Sequence, residues 1–212
     1  MDVYDTKLQT LIGLTGAAGS GKDSVAGIMV LEHGFQQIAF ADALYEEVST
    51  AFNVSVEFLK NRNTKERQAF RLSMRNCTDA EFVRTIMRMH GISLLMRIFW
   101  RWKPRSPRQI LQWWGTDYRR ARCEAYWIDK VCDRLMLTPN THWVITDVRF
   151  QNEADLVREF GGQLGLVLRP GVEPVANHVS EAFWQTCNPD IVIRNYGTLK
   201  GLQNTVNEVF SQ

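Results

Sequence analysis

Short unbroken apolar runs alternate along this chain with stretches of helical spacing. Residues 8–15 (LQTLIGLT) form an apolar run that stops at glycines, the pattern of a buried strand, and residues 23–32 carry apolar positions at helical intervals. The run 37–41 (QIAFA) predicts a second strand, followed by a helix over 42–52 with Asp42 as N-cap or in its first turn. From 53 to about 107 the spacing is helical and no run looks like a core strand. Helical spacing resumes over 108–114 and 124–136, with a break expected at Gly115-Thr116. Strands are predicted at 142–147 (HWVITD), 163–168 and 190–194, with helices at 153–160, 180–185 and 199–210. Five strands alternating with helices imply an α/β protein with a parallel sheet covered on both faces.

The stretch from Gly16 to Ser24, GAAGSGKDS, matches the phosphate-binding pattern G-x-x-x-x-G-K up to its last position. Glycines there adopt backbone angles closed to other residues, so that successive N–H groups turn inward on phosphate oxygens at a helix N-terminus. A strand ending at Thr15 and a helix starting near Lys22 give the motif the context it needs. Gly16, Ala18, Gly19, Ser20, Gly21, Lys22, Asp23 and Ser24 are the candidate nucleotide-binding residues, with Lys22 reaching the β- and γ-phosphates. The pattern departs at Asp23, where a Ser or Thr normally offers its hydroxyl to Mg²⁺. A carboxylate can hold magnesium directly or through water; Ser24 is the alternative donor, and Asp23 is preferred.

Composition sets limits on this picture. The 212 residues fit one α/β domain, and 45% hydrophobic with 23% charged residues is ordinary for a globular chain. No secretion signal and no apolar stretch of about eighteen residues is present, so a cytoplasmic protein without a membrane span is expected. Cys77, Cys123, Cys132 and Cys187 have no metal-ligand spacing, and reduced thiols are expected. The net charge of +2 hides an asymmetry: residues 60–122 hold sixteen Lys/Arg against four Asp/Glu, and the remainder nine against nineteen. A basic block of this kind suits nucleic acid, an anionic small molecule or a solvated helical surface.

Position suggests further chemistry. Asp147 ends an apolar strand, where a carboxylate can hold the magnesium shell or cap a helix. Arg149 follows on the edge where ligands collect in open α/β sheets and can pair with a phosphate or with Glu153. Asp42 can accept a hydrogen bond from a sugar or base, or serve only as a cap. A phosphate acceptor is already an anion, so transfer to it demands positioning and charge neutralisation and no general base. Residues 170–181 contain no arginine, which leaves Arg169 as the nearest catalytic arginine beside Lys22 and Asp147. Arg62, Arg67, Arg71, Arg75, Arg84 and Arg88 of the basic stretch are alternatives for a lid.

The loop TGAAGSGKDS resembles the G-K-D variant found in phage-type deoxynucleoside monophosphate kinases and in animal-type phosphomevalonate kinases; dephospho-coenzyme A kinases share a similar I-G-L-T-G start. Five further blocks, FADAL (40–44), LQWWGT (111–116) with Arg119, DVRFQNE (147–153), HVSE (178–181) and NYGTL (195–199), resemble the phage deoxynucleotide kinases in the right order. The resemblance implies a three-layer P-loop kinase fold with a five-stranded parallel sheet and a helical basic insertion at about 53–107 serving as acceptor-binding lid. It implies ATP as donor, Mg²⁺ as cofactor, deoxynucleoside monophosphates as acceptors, and the host cytoplasm as location if a phage encodes the chain. It points to Gln112, Gly115, Thr116, Arg119 and Trp127 as acceptor-site residues and to the loop at Asn195 as an adenine contact. His178 and Glu181 receive no role.

Other readings stay open at this point. The basic block with Phe99, Trp100 and Trp102 suits a kinase acting on a modified base in DNA. A metabolic kinase of the phosphomevalonate or dephospho-coenzyme A type, and a non-enzymatic nucleotide-binding protein, are the others. The many tryptophans suggest a homodimer.

Overall fold

The computed structural model describes residues 10–172 and 179–210. Five strands, β1 (Leu11–Thr15), β2 (Gln36–Ile38), β3 (Trp143–Ile145), β4 (Gln163–Leu168) and β5 (Ile191–Arg194), pair in parallel in the order β2-β3-β1-β4-β5. Gly13 lies opposite Ile145 on one side and Leu164 on the other, which puts β1 at the centre. Alternation along β1 sends Ile12 and Leu14 to one face and Leu11 to the other. On the first face they meet Val25 and Met29 of α1 (Lys22–His33) and Leu202 and Val206 of α10 (Leu199–Phe210). On the second, Leu11, Trp143, Ile145 and Leu164 pack with Val131 and Leu135 of α7 (Tyr126–Leu137) and Ala154 and Val157 of α8 (Gln151–Glu159). Helices cover both faces, so the central strands are apolar throughout, as the sequence pattern requires.

The chain divides into two compact units, one running to Phe40 and resuming at Ile128, the other Ala41–Trp127. The second is wider than the stretch 53–107. Its core takes Val48, Ala51 and Phe52 from α2 (Phe40–Phe52), Leu59 from α3 (Val56–Lys60), Phe82, Val83 and Ile86 from α4 (Ala80–Met89) and Ile110 from α6 (Pro107–Gln112). Phe82 is its hub, with ring centroids 4.5 Å from Trp114, 5.4 Å from Tyr118 and 6.3 Å from Phe52. Asp79 caps α4 by accepting from Phe82 N–H at 2.8 Å and also accepts from the Tyr118 hydroxyl at 2.9 Å. A short helix, α5 (Arg97–Trp102), completes this unit, and α9 (Val179–Thr186) belongs to the sheet unit.

Two local expectations are corrected. The run 37–41 is not one strand, because β2 ends at Ile38 and α2 begins at Phe40. The Phe40 N–H donates to Asp147 Oδ1 at 2.8 Å, so a carboxylate 107 positions away starts the helix there. The expected break at Gly115-Thr116 is absent as well. Residues Trp113–Arg120 continue α6 as a π-helix, closed by Ala121 N–H on the Thr116 carbonyl, five residues back, at 3.0 Å. Its wider turn buries Trp113, Trp114, Gly115 and Tyr118 together. A Cβ on Gly115 would sit 3.2 Å from Leu44 Cδ2, which explains a residue without a side chain there.

Candidate active site

The phosphate loop joins β1 to α1 as its sequence predicts. Gly16 has φ +146°, Gly19 +80° and Gly21 +103°, all closed to side chains at little cost only for glycine. A Cβ on Gly16 would meet the Val167 carbonyl oxygen at 2.4 Å, and one on Gly21 the Asn195 amide nitrogen at 2.4 Å. Ala18, Gly19, Asp23 and Ser24 are exposed, and Asp23 stands in the first turn of α1, where the helix dipole favours an anion or a metal-bound carboxylate. Ser20 is 1% exposed and its hydroxyl has no hydrogen-bond partner among the described residues. Buried hydroxyls normally find partners, so this one suits an oxygen-rich ligand seated in the loop. Lys22 folds back on the loop, donating from Nζ to the carbonyls of Gly16 at 2.7 Å and Ala17 at 2.9 Å. Those bonds hold the ammonium at the cradle, where an entering phosphate can exchange with them.

Asp147 lies just beyond β3 at the level of the loop, since Val148 N–H donates to the Leu14 carbonyl at 3.1 Å. Its Oδ1 accepts from Phe40 N–H, so it does cap a helix, the one that follows β2. The segment after it is pinned by Glu153, a carboxylate only 2% exposed that accepts from the N–H groups of Arg149 at 2.7 Å and Phe150 at 3.2 Å. The Arg149 side chain is exposed. Arg169, just beyond β4, also reaches the loop, with Nη1 3.4 Å from the Gly19 carbonyl oxygen.

The Asn195 side chain, in the loop expected to contact adenine, turns toward the phosphate loop. It is 5% exposed, its Nδ2 donates to the Ser20 carbonyl at 2.9 Å, and its Oδ1 accepts from Gly197 N–H at 3.0 Å. The amide nitrogen braces the phosphate loop through Ser20, and the amide oxygen turns its own loop at Gly197.

The acceptor candidates lie in the other unit and form their own constellation. Glu47 accepts from Trp114 Nε1 at 2.8 Å, Arg119 Nε at 2.8 Å and the Tyr126 hydroxyl at 2.5 Å. The Arg119 guanidinium is thereby held among rings, 4.7 Å from the Tyr118 centroid and 4.9 Å from that of Tyr126. Burial works against the Arg119 charge, but the Glu47 hydrogen bond and carboxylate charge outweigh it and raise the pKa above the usual value. Burial, reinforced by the Glu47 bond, pushes the Tyr126 phenol up to about 12; burial and the Asp79 bond do the same for Tyr118. Gln112 and Thr116, one turn apart along the helical run, are exposed. Trp127 differs from its expectation: it is 3% exposed and its indole N–H donates to the Gly115 carbonyl at 3.2 Å, so it supports the π-helix from inside. Asp42, in the first turn of α2, pairs with Lys60 at 2.9 Å. His178 and the side chain of Glu181 lie outside the described residues.

Residues 46–206 match the family described as Deoxynucleotide monophosphate kinase. The chain belongs to that family. The match begins after the phosphate loop, so the loop and the family assignment are independent observations. Among curated relatives, a protein of Acanthamoeba polyphaga mimivirus, named provisionally as a deoxynucleotide monophosphate kinase, is 29% identical and covers 95% of this chain and 93% of its own. The deoxynucleoside-5'-monophosphate kinase of Escherichia phage T5 is 29% identical over 72% of this chain and 73% of its own. Among solved structures, the chain is similar to a dephospho-CoA kinase from Campylobacter jejuni, with 96% of this chain and 97% of that one covered at 12% identity and a TM-score of 0.47.

For a deoxynucleotide monophosphate kinase, two residues stand out that sequence reasoning passed over. Glu47 was hidden on an ordinary helix, 72 positions from Arg119. Glu153 drew notice only as a partner for the Arg149 side chain, and it also accepts from the backbone N–H groups of Arg149 and Phe150. No local signal distinguishes either from a surface glutamate.

Proposed function

We propose that the protein transfers the γ-phosphoryl group of ATP to the phosphate of a deoxynucleoside monophosphate, giving ADP and a deoxynucleoside diphosphate. The observation that carries the reading is a phosphate loop that keeps its pattern through Lys22, with Lys22 and Arg169 bonded to it and Asp147 just beyond the neighbouring strand, in a chain of the deoxynucleotide monophosphate kinase family. The loop N–H groups and Lys22 bind the donor phosphates, and the Ser20 hydroxyl gains the partner it lacks. Arg169 neutralises charge on the migrating group from the Gly19 side, and Arg149 adds to the positive field at the same sheet edge. Asn195 keeps the loop in its binding conformation.

Magnesium fits the residues present. Asp23 and Asp147 offer hard oxygen ligands, the donor type magnesium takes beside phosphate and water. Asp23 and Asp147 would hold it, and when bound it neutralises phosphate charge. On the acceptor side Arg119, fixed by Glu47, binds the monophosphate, Gln112 and Thr116 contact the nucleoside, and Asp42 accepts from the sugar. Gly115 and Trp127 shape the helix beneath them. No helix among the described residues is long and apolar enough to cross a membrane.

The test is a panel: purified protein, ATP, Mg²⁺ and each common deoxynucleoside and ribonucleoside monophosphate, with diphosphate separated and counted. Turnover of at least one deoxynucleoside monophosphate, faster than its ribonucleotide counterpart, is expected. No diphosphate from any of them overturns the proposal.

A further inference from the structure

A second group of cations stands in the Ala41–Trp127 unit, unused by the roles assigned above. Arg84 and Arg88, one turn apart on α4, and Arg97, the first residue of α5, line a cavity of about 330 Å³ with Met87, Gly91 and Ile92. No carboxylate lines it. Neither Arg88 nor Arg97 has an ion-pair partner among the described residues, and the nearby Glu81 is engaged by Arg122 at 2.8 Å. Like charges four apart destabilise a helix, and a third cation facing the same space adds to the repulsion. An anion in the cavity would remove it.

Gly91 and Ile92 also line an adjoining, mainly apolar cavity of about 390 Å³ with Met96, Phe99 and Trp100. Arg105, 3% exposed, fixes this wall. Its Nη1 donates to the carbonyls of Lys103 at 2.8 Å and Pro104 at 3.1 Å, its Nη2 to that of Trp100 at 3.4 Å, and its guanidinium lies 4.7 Å from the Trp100 ring centroid. These bonds occupy carbonyls at the end of α5 that the helix leaves open, so the aromatic wall is held in place.

We propose that the two adjoining cavities form a third nucleotide site, apart from those of donor and acceptor, with phosphates on Arg84, Arg88 and Arg97 and the base against Phe99 and Trp100. Guanidiniums suit phosphate oxygens in bidentate pairs, an aromatic wall suits a base, and each cavity has the volume of a small-molecule site. Three cations around one space offset most of the charge of a nucleoside triphosphate. A nucleic-acid strand would instead call for cations spread along a track. The proposal goes beyond the transfer reaction and does not require it.

The experiment is calorimetric titration of dTTP, in EDTA, into the Lys22→Ala protein, in which binding at the phosphate loop is weakened. One dTTP per chain is expected, displaced by inorganic triphosphate. Arg88→Gln and Arg97→Gln, each placed in the Lys22→Ala protein, should weaken it about ten-fold apiece, and Arg88→Lys less. Both arginines are exposed, so melting temperatures should not move. Absence of binding to Lys22→Ala, or binding indifferent to the arginine changes, overturns the proposal. So does preferential binding of a twelve-nucleotide single strand with a steep salt dependence, which assigns the surface to nucleic acid. Failure of the transfer reaction is read separately, in turnover by the wild-type protein, where Arg97→Gln has no effect.

Discussion

Replacing Asn195 by alanine separates a brace for the phosphate loop from a contact to the donor base. The amide makes two hydrogen bonds from a position 5% exposed, to the Ser20 carbonyl at 2.9 Å and from Gly197 N–H at 3.0 Å. Truncation leaves both backbone groups without that partner. Each such loss costs about 1–3 kcal/mol, and since one side chain serves both, about 2–4 kcal/mol is expected in total. For a chain of this length that lowers the melting temperature by roughly 4–12 °C. The loop, no longer held at the Ser20 carbonyl, must be ordered by its ligand, and donor binding should weaken about 10- to 100-fold, or roughly 1.4–2.8 kcal/mol. The assay measures KM for ATP and for GTP, and the inhibition constant of inorganic triphosphate, in wild type and Asn195→Ala. A brace predicts the same factor for all three, because all three bind the loop. A loss confined to ATP, with triphosphate inhibition unchanged, refutes the reasoning and restores Asn195 as a reader of adenine.

Other perturbations probe other joints. Gly21→Ala forces a Cβ to 2.4 Å from the Asn195 amide at φ +103°, and should cut kcat/KM at least about 100-fold while the circular dichroism spectrum stays native. Glu47→Gln keeps the volume but removes the charge that Arg119 pairs with; about 2–3 kcal/mol of stability should go, and KM for the monophosphate should rise with KM for ATP unchanged. An unaltered acceptor KM would remove Arg119 from the acceptor site. Tyr118 and Tyr126 hold their protons more tightly folded than unfolded, with pKa values pushed up to about 12 from about 10. The folded state therefore binds more protons in this window, so the contribution to stability is complete below about pH 10 and is lost as pH rises towards 12. Denaturant titrations at pH 9 and 11, with phenolate absorbance followed in parallel, check both the sign and the window.

The order of strands and helices in the sheet unit was legible because its signals are local. β4 at Gln163–Leu168 and α10 at Leu199–Phe210 fall where their apolar spacing puts them, and the phosphate loop is written in consecutive residues. What could not be read depends on distant partners. The start of α2 at Phe40 is set by Asp147, the bracing role of Asn195 by Ser20, and the orientation of Arg119 by Glu47. The π-helix at Trp113–Arg120 has neither the period of an α-helix nor that of a strand, so a Gly-Thr pair inside it reads as a break. The resemblance placed Trp127 among the acceptor-site residues, and its burial was not legible because sequence gives a residue's type and not its depth.

The central claim is that Lys22 and its loop drive phosphoryl transfer onto a phosphate. Phosphorus NMR of one mixture of ATP, Mg²⁺ and a deoxynucleoside monophosphate accepted in the panel tests it most directly, run with wild type and with Lys22→Ala. The account predicts that the γ-phosphate signal of ATP falls as the β-phosphate signal of a deoxynucleoside diphosphate grows in equal amount, at a rate that drops at least about 1,000-fold in Lys22→Ala. Release of inorganic phosphate in place of diphosphate, or equal transfer by Lys22→Ala, would contradict it.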